Sequence, residues 1–485
     1  MNTFDQAVDQ LIRELSGYVA LPGSDDYEET IQVDNGRVRL PPAIIIYPRS
    51  AEDVGRALQF ANSLKLPFTV KGGGHSAAGY CLNRAGVVLS MSSMKAMSLD
   101  TKSNVLSVQM GARWSEVYSY IAAADSRLLP IGGGCLTVGL PGFLLGGGYS
   151  FASRSYGMGS DNIVSIDFVT PDGEVRTLSA DCQGQIDQDL WWACRGGGGG
   201  NFGVAVAMKL QIRKPDTPKM MVGQVHYRLS DGVDVIGAYN EWIETLPDQF
   251  ACYGFLGQEP DPANPSQKIE TFRITPVFNG DYSEGIKLIQ PMLAFSALYV
   301  ELYNMTLPQW EEKIGKSTLV GDRQAYIRSG IMLPGGMTKE VIEIYQRYMH
   351  SAPSDESFVV WTHGGGQISK VPTDDSSVPH RNGRYIFELK AIWSEPSDIR
   401  KNVEWAYQFL EELRPHFEGA YVNYIDPLLT DWKNMYYEDK YPRLLAIKQA
   451  VDPNNLFGFQ QGIGSDFEPS GTEPLDLSPL NRTVP

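Results

Sequence analysis

His75 and Cys135 are the residues in the first half of the chain whose types and surroundings together suggest bond-making chemistry. Each directly follows a triple glycine, in "KGGGHS" (71–76) and in "IGGGCLTVGLPGFLLGGGYS" (131–150). An imidazole nitrogen and a thiolate sulfur are both nucleophiles and both need a partner brought close before they act. Glycine supplies that closeness: with no Cβ it lets the backbone approach a ligand and adopts positive φ, and glycine runs after strands aim their amides at an anionic group such as a pyrophosphate. Four runs, at 72–74, 132–134, 146–148 and 196–200, fall within about 130 residues. So many point to a large, extended cofactor.

Pattern alone narrows the cofactor by exclusion. No GxGxxG opens a helix after a strand with an acid following, and no GxxxxGK[ST] occurs, so the Rossmann and P-loop readings fail. A hydrolase is suggested by "GHSAA" (74–78) and "HGGG" (363–366). It fails because Ala78 stands where the nucleophile elbow needs glycine, and the oxyanion-type loop lies after the serine instead of before it. Among six histidines and five cysteines there is no HExxH, CxxC or close cluster, so neither a metal site nor a disulfide framework is expected.

With 41 basic against 57 acidic residues and a net charge of −16, the chain lacks the basic stripe a nucleic acid would require. No apolar run nears the roughly 20 residues that cross a bilayer, and the N-terminus offers no signal-peptide core. No membrane partner and a cytoplasmic location are therefore expected; a secreted protein is the alternative if Met1 is not the native start. In that case the sequons at Asn304 and Asn481 become glycosylation acceptors.

The elements that must hold these residues follow from periodicity. "AIIIYPRS" (43–50) reads as a strand with a stop, and Ser50 with Asp53 as a capping box opening the helix "AEDVGRALQFANSLKL". "PFTV" then runs into the first glycine loop, completing a β-α-β unit that ends where α/β folds place ligands. "VLSVQM" reads as a strand, "WSEVYSYIAAAD" as a helix, and "IVSIDFVT-PDG-EVRTLS" as a hairpin. Beyond about residue 215 glycine thins out. Alternating segments such as "KMMVGQVHYRL", "ETFRITPVF" and "RYIFELKAIW", with helices such as "VEWAYQFLEELRPHF", predict an antiparallel sheet with helices on one side. The tail "EPSGTEPLDLSPLNRTVP" is expected to be poorly ordered or draped on the surface.

In order along nearly the whole chain, "KGGGHS", "GGGCLTVGLPGFLLGGGYSFASRSYGMGSDNIVSIDFVTPDGEV", "DQDLWWACRGGGGGNFGV", "YVNYIDP" and "YPRLLAIKQAVDPNNLF" resemble the berberine bridge enzyme-like branch of the vanillyl alcohol oxidase-type FAD-linked oxidases. The resemblance implies an α+β, two-domain flavoprotein. Residues 1–215 would form the first part of a discontinuous FAD-binding domain, 216–424 a substrate domain with an antiparallel sheet and helices, and 425–485 the return to the FAD-binding domain. It also implies FAD attached covalently through both His75 and Cys135. Cofactor contacts would come from Gly72, Gly73, Gly74, Ser76, Val138, Gly139, Gly142, Gly147, Gly148 and Val204.

Two tethers fix the flavin ring and make it a stronger oxidant. Valine three residues after the cysteine, here Val138, goes in the family with use of O2. The chain departs from the family at Leu140-Pro141, where glycine is usual at the second position. Hydride can leave a substrate only if a base takes the accompanying O–H or N–H proton. Tyr421, Tyr424 and Glu388 stand where family members place such groups. The expected activity is an FAD-dependent oxidase acting on an alcohol or similar group of a small molecule, a secondary metabolite, with O2 as acceptor and hydrogen peroxide as product. A secreted mono- or oligosaccharide oxidase and a non-redox flavin-containing cyclase are the alternatives.

Overall fold

The computed structural model describes residues 3–314 and 323–466; the C-terminal tail and the Asn481 sequon lie outside the described residues. Three sheets carry the architecture. The first has three parallel strands, Ile44–Tyr47, Val87–Ser90 and Phe68–Lys71, with Tyr18–Ala20 added antiparallel at one edge. All four residues of Ile44–Tyr47 and of Val87–Ser90 are buried, which fits strands covered on both faces. Helix Ala51–Leu64 is the crossover. It buries Val54, Ala57, Leu58 and Ala61 against Ile44, Ile46, Val87 and Leu89, and a fully buried leucine or valine there contributes roughly 1.5–3 kcal/mol.

The start of this helix departs from a reciprocal capping box. Ser50 accepts from the Asp53 amide, but the Asp53 carboxylate does not return to the cap. It accepts instead from the amides of Ser16, Gly17 and Arg49 and from the Ser16 hydroxyl, tying the N-terminal segment to the helix. Four donors outcompete one, because a buried carboxylate needs all its lone pairs satisfied. The helix ends at Lys65 in the left-handed region, φ 53°, and three residues later the chain enters Phe68–Lys71, whose end feeds the first glycine loop.

The second sheet is antiparallel, in the order Met97–Asp100, Val105–Gln109, Val204–Gln211, Ile163–Val169, Val175–Ser179. The third is antiparallel with seven strands, ordered Tyr299–Met305, Met220–Arg228, Asn264–Phe278, Phe250–Asp261, Phe358–His363, Tyr385–Trp393, Gln324–Met332. Period-two alternation decides what each of its faces does. Tyr385, Phe387, Leu389, Ala391 and Trp393 join Trp361, Phe272 and Tyr227 in a core closed by helices Gly232–Ile243, Lys339–His350 and Ile399–Leu413. The even positions of the same strand, Ile386, Glu388 and Lys390, therefore point the other way.

On that second face one register row crosses all seven strands: Ser329, Glu388, Val360, Phe255, Arg273, His226 and Tyr299. The face is partly roofed by helix Leu307–Ile314, whose Trp310 packs with Met220, Val222 and Val277. Between them lies a cavity of about 400 Å³ lined by Phe151, Tyr253, Phe255, Arg273, Glu301 and Lys313, among others.

The segment Gly419–Asp426 crosses over this sheet. Buried Arg328 holds it there, donating to Asp426 at 2.7 Å and to Glu411 at 2.9 Å, while Tyr326 donates to Asp426 at 2.7 Å. The N-terminal loop is stitched to the sheet edge from the other side. Asn35 donates to the carbonyls of Ala77 and Ala325 and accepts from the Ala325 amide.

Candidate functional site

The two glycine loops meet. A Cβ added to Gly73 would stand 2.3 Å from the Gly139 amide nitrogen, and one added to Gly72 would stand 2.8 Å from Cγ of Pro141. Pro141, the departure from the family pattern, thus has a place. It sits in the first turn of helix Leu140–Leu145, where a missing N–H costs nothing, and its ring fills the space that glycine leaves at position 72. Helix Trp114–Ala124 braces the second loop from behind: the amides of Trp114 and Ser115, orphaned at its N-terminus, donate to the carbonyls of Val138 and Leu136.

This contact brings His75 and Cys135 together through a residue the motifs did not single out. The Thr137 hydroxyl lies 2.9 Å from His75 Nε2 and 3.5 Å from Cys135 Sγ. On the far side of the ring, His75 Nδ1 faces Asp34 at 3.7 Å. Burial holds the imidazole below the usual histidine range, with Lys390 and Arg113 pushing the same way against the opposing pull of Asp34. The ring is therefore neutral at pH 7, the form that has a lone pair to give.

The catalytic candidates form a second cluster beside the first. Glu388, at the middle of its strand, is hydrogen-bonded to Tyr424, and burial raises its carboxyl above the ordinary range against the opposing effects of Lys390 and that bond. Tyr424 is pushed well above the usual phenol range by burial first and by the Glu388 charge second. Asp34 and Lys390 act on both Glu388 and His75, so the two clusters share one neighbourhood.

Tyr421 and Tyr424 do not sit on the sheet. Tyr421 precedes and Tyr424 ends a single 3₁₀ turn, Val422–Tyr424, held against the sheet by Ser329, which accepts from the Tyr421 amide at 3.0 Å. Tyr421 accepts from the Gly148 amide at 2.8 Å and from Asn423 at 2.9 Å; burial pushes it up to about 12 and these two donors hold it back. With two donors on its oxygen, Tyr421 anchors the third glycine run and has only its own hydrogen left to give.

The remaining candidates are placed as follows. Gly74, Gly147 and Gly148 have φ of +79°, +116° and +84°, conformations that favour glycine. A Cβ at Gly142 would meet nothing within 4 Å, and the 196–200 loop is tied to the end of the same helix by the Gly196 and Gly198 amides, which donate to the Leu145 carbonyl. Ser76 accepts from the Tyr80 amide. Val138 is half-buried on the loop that meets Gly73. The Val204 side chain is committed to the core beside Val169 and Val206, leaving only its backbone to face a ligand.

Sequence reading missed Thr137, Asp34, Ser329, Lys390 and the Arg328–Asp426 pair. Lys390 carried a signal, lying two residues from Glu388 and so on the same face. Asp34 and Thr137 carried none, because the partner that gives each its place, His75, is distant from both in the chain.

FAD suits these residues. Buried Lys71, which makes no ion pair among the described residues, lies with Cε 2.9 Å from where a Cβ of Gly74 would stand. Burial lowers its ammonium, so a diphosphate at the glycine loop would supply the anion this cation lacks. Among the described residues no cluster could hold a metal ion, no helix is long and apolar enough to cross a membrane, and all five cysteines are free.

Comparisons with known proteins agree with this geometry. A family profile described as FAD binding domain matches residues 42–179, and one described as berberine and berberine like matches residues 420–464. The chain is 26% identical over 453 residues to an uncharacterized FAD-linked oxidoreductase of Bacillus subtilis, covering 93% of this chain and 97% of that one. It is 26% identical over 471 residues to a monolignol oxidoreductase of Arabidopsis thaliana, covering 88% and 84%. The solved structure of Physcomitrella patens BBE-like 1 superposes with a TM-score of 0.83 at 22% identity, over 95% of this chain and 99% of that one. The chain thus carries an FAD-binding domain and a berberine-like C-terminal segment, has the fold of the berberine bridge enzyme-like flavoproteins, and is an FAD-dependent oxidoreductase.

Proposed function

We propose that this protein is an oxidase whose FAD is bonded to both His75 and Cys135, and that it removes two electrons from an alcohol or similar group of a small molecule, passing them to O2 with release of hydrogen peroxide. The observation that carries this reading is the Thr137 bridge, which holds the neutral His75 ring and the Cys135 sulfur within reach of one aromatic edge. The flavin, when bound, supplies the two-electron acceptor that O2 regenerates.

The chain's own residues do the rest. Glu388 takes the substrate's O–H proton as the C–H bond breaks; burial raises its carboxyl and so makes its ionised form a stronger base than an ordinary carboxylate. Tyr424 donates to Glu388 and so favours its ionised form, while Tyr421 fixes the Gly148 loop. Val138, beside Gly139, would leave the ring edge open to O2.

The cavity favours an aromatic small molecule of the secondary-metabolite kind. Phe151 and Tyr253, stacked at 4.1 Å, and Phe255 line it, giving an apolar wall along the register row that contains Glu388. A second reading, a mono- or oligosaccharide oxidase, draws on the polar far wall, where Gln224, Glu301 and Lys313 line the same cavity.

A peroxide-release screen across phenolic alcohols, alkaloids and mono- and oligosaccharides separates the two. The oxidase assignment itself is tested by anaerobic mixing with the substrate so found. Bleaching of the flavin band supports it, and turnover with the flavin still oxidised means a non-redox cyclase. Acid precipitation should leave the flavin on the protein; retention in the His75→Ala, Cys135→Ala double variant would show that the attachment lies elsewhere.

A further inference from the structure

Thr137 touches both attachment points, and the directions of its hydrogen bonds are constrained. Besides the hydroxyl contact, the Thr137 backbone acts on the His75 ring in the direction of an accepting carbonyl. A carbonyl only accepts, so the ring nitrogen on the Thr137 side, Nε2, carries the hydrogen. Nδ1, facing Asp34 at 3.7 Å, then holds the lone pair. The Thr137 oxygen can accept from Nε2–H at 2.9 Å, and its own hydrogen is left to point at Cys135 Sγ, 3.5 Å away.

We infer that Thr137 is the positioning residue that prepares both covalent bonds to the flavin. Its hydroxyl and carbonyl fix the Nε2–H tautomer so that Nδ1 is the nucleophile, and its O–H donates to Cys135 Sγ so that the sulfur reacts as the thiolate. The inference rests on the reading that His75 and Cys135 both carry the flavin.

The step balances at each end. One hydrogen leaves the nucleophile and one leaves a flavin carbon, a new N–C or S–C bond forms, and one O2 takes up the two electrons and two protons as hydrogen peroxide. The nucleophile's proton, from Nε2 after Nδ1 has bonded or from the thiol before it attacks, passes to water, and the peroxide draws its second proton from water in turn.

One side chain serving two nucleophiles also explains the order of residues here. The threonine must be close enough to the cysteine to share a loop, yet far enough along it for the hydroxyl to reach back to a histidine 62 positions earlier. Residue 137, two beyond the cysteine, is held by the amide of Ser115 on Leu136 and that of Trp114 on Val138. Its hydroxyl therefore has little freedom to turn away. The groups whose charges act on the His75 ring from other elements are Asp34, Lys390 and Arg113. None of them touches both His75 and Cys135 in the way Thr137 does.

The test uses the full chain, purified with its flavin, in two variants. Thr137→Val keeps the size and the carbonyl but loses the hydroxyl; Thr137→Ser keeps the hydroxyl. Each protein is acid-precipitated and digested, and the flavin-bearing fraction of the His75 peptide and of the Cys135 peptide is measured separately by mass. In Thr137→Val the cysteine-linked fraction should fall about tenfold or more, the equilibrium worth of one hydrogen bond to a charged group, with the histidine link largely kept because the carbonyl still sets the tautomer. Thr137→Ser should restore both links. Incubating Thr137→Val with FAD at about pH 9.5, above the roughly 8.5 at which an unassisted thiol ionises, should recover part of the cysteine link, which a purely structural role for the hydroxyl would not permit.

Wild-type fractions of both links in Thr137→Val overturn the inference, as does an equal loss in Thr137→Ser, which would mean a packing role. Absence of either link in the unaltered protein overturns the bicovalent reading, and this inference with it.

Discussion

Replacing Gly73 by alanine probes the contact on which the site depends. The new Cβ would stand 2.3 Å from the Gly139 nitrogen, 2.8 Å from its Cα and 3.2 Å from the Thr137 carbonyl oxygen, where ordinary contact begins at 3.4 Å. Gly73 is not among the glycines with positive φ, so its backbone accepts alanine and the effect is steric alone. All three obstructing atoms are backbone, and no side chain can rotate out of the way. The two loops must part by about 1 Å, at the roughly 1–3 kcal/mol typical of overpacking.

That cost is small enough for the protein to fold, with its Tm lowered by a few degrees. The same displacement lengthens the 2.9 Å bond between His75 and Thr137 to a distance at which it no longer counts as a hydrogen bond. Gly73→Ala should therefore express as a folded protein with at least one of its two flavin links lost. Thermal melting and peptide mass mapping after acid precipitation measure the two effects. If Gly73→Ala keeps both links and an unchanged Tm, the loops are not the rigid pair described above, and the argument from backbone contact fails.

Glu388→Gln should lower kcat by about 10²–10⁴-fold, the usual contribution of a general base, with flavin binding intact. Because burial raises the Glu388 carboxyl and only the ionised form accepts a proton, the wild-type rate should climb with pH at a point above the ordinary carboxylate range. The variant should lack that limb. Tyr424→Phe removes the hydrogen bond that favours ionised Glu388, so the limb should move to higher pH; a limb that moves down or stays put would show that the bond does not act on Glu388. Asp426→Ala leaves Arg328 buried without its 2.7 Å partner and should destabilise the protein by about 3–5 kcal/mol, read as a fall in Tm. Activity should fall with it, since the same pair holds the turn that carries Tyr424.

The sequence by itself determined those features that consecutive residues settle among themselves. Alternation in "RYIFELKAIW" is enough to send Phe387 and Leu389 to one face and Glu388 and Lys390 to the other, because successive side chains of a strand point oppositely whatever the strand packs against. Ser50 announced the start of the helix Ala51–Leu64 for a similarly local reason. The glycines before His75 and Cys135 declared a close backbone approach, and the family resemblance gave that approach its cofactor.

The tertiary structure decided which distant groups meet. Asp53 looked like the second half of a cap and became the anchor of Ser16 and Gly17, since a buried carboxylate takes whichever donors the fold brings to it. Pro141, an anomaly in the motif, is explained by Gly72. Tyr421 and Tyr424 proved to be held over the sheet by Ser329 and Asp426, not carried on a strand. Thr137, an ordinary residue in a short loop, became the link between the two nucleophiles only because Gly73 and Gly139 let their loops touch. Such contacts depend on how whole elements pack, through distances that no local pattern encodes.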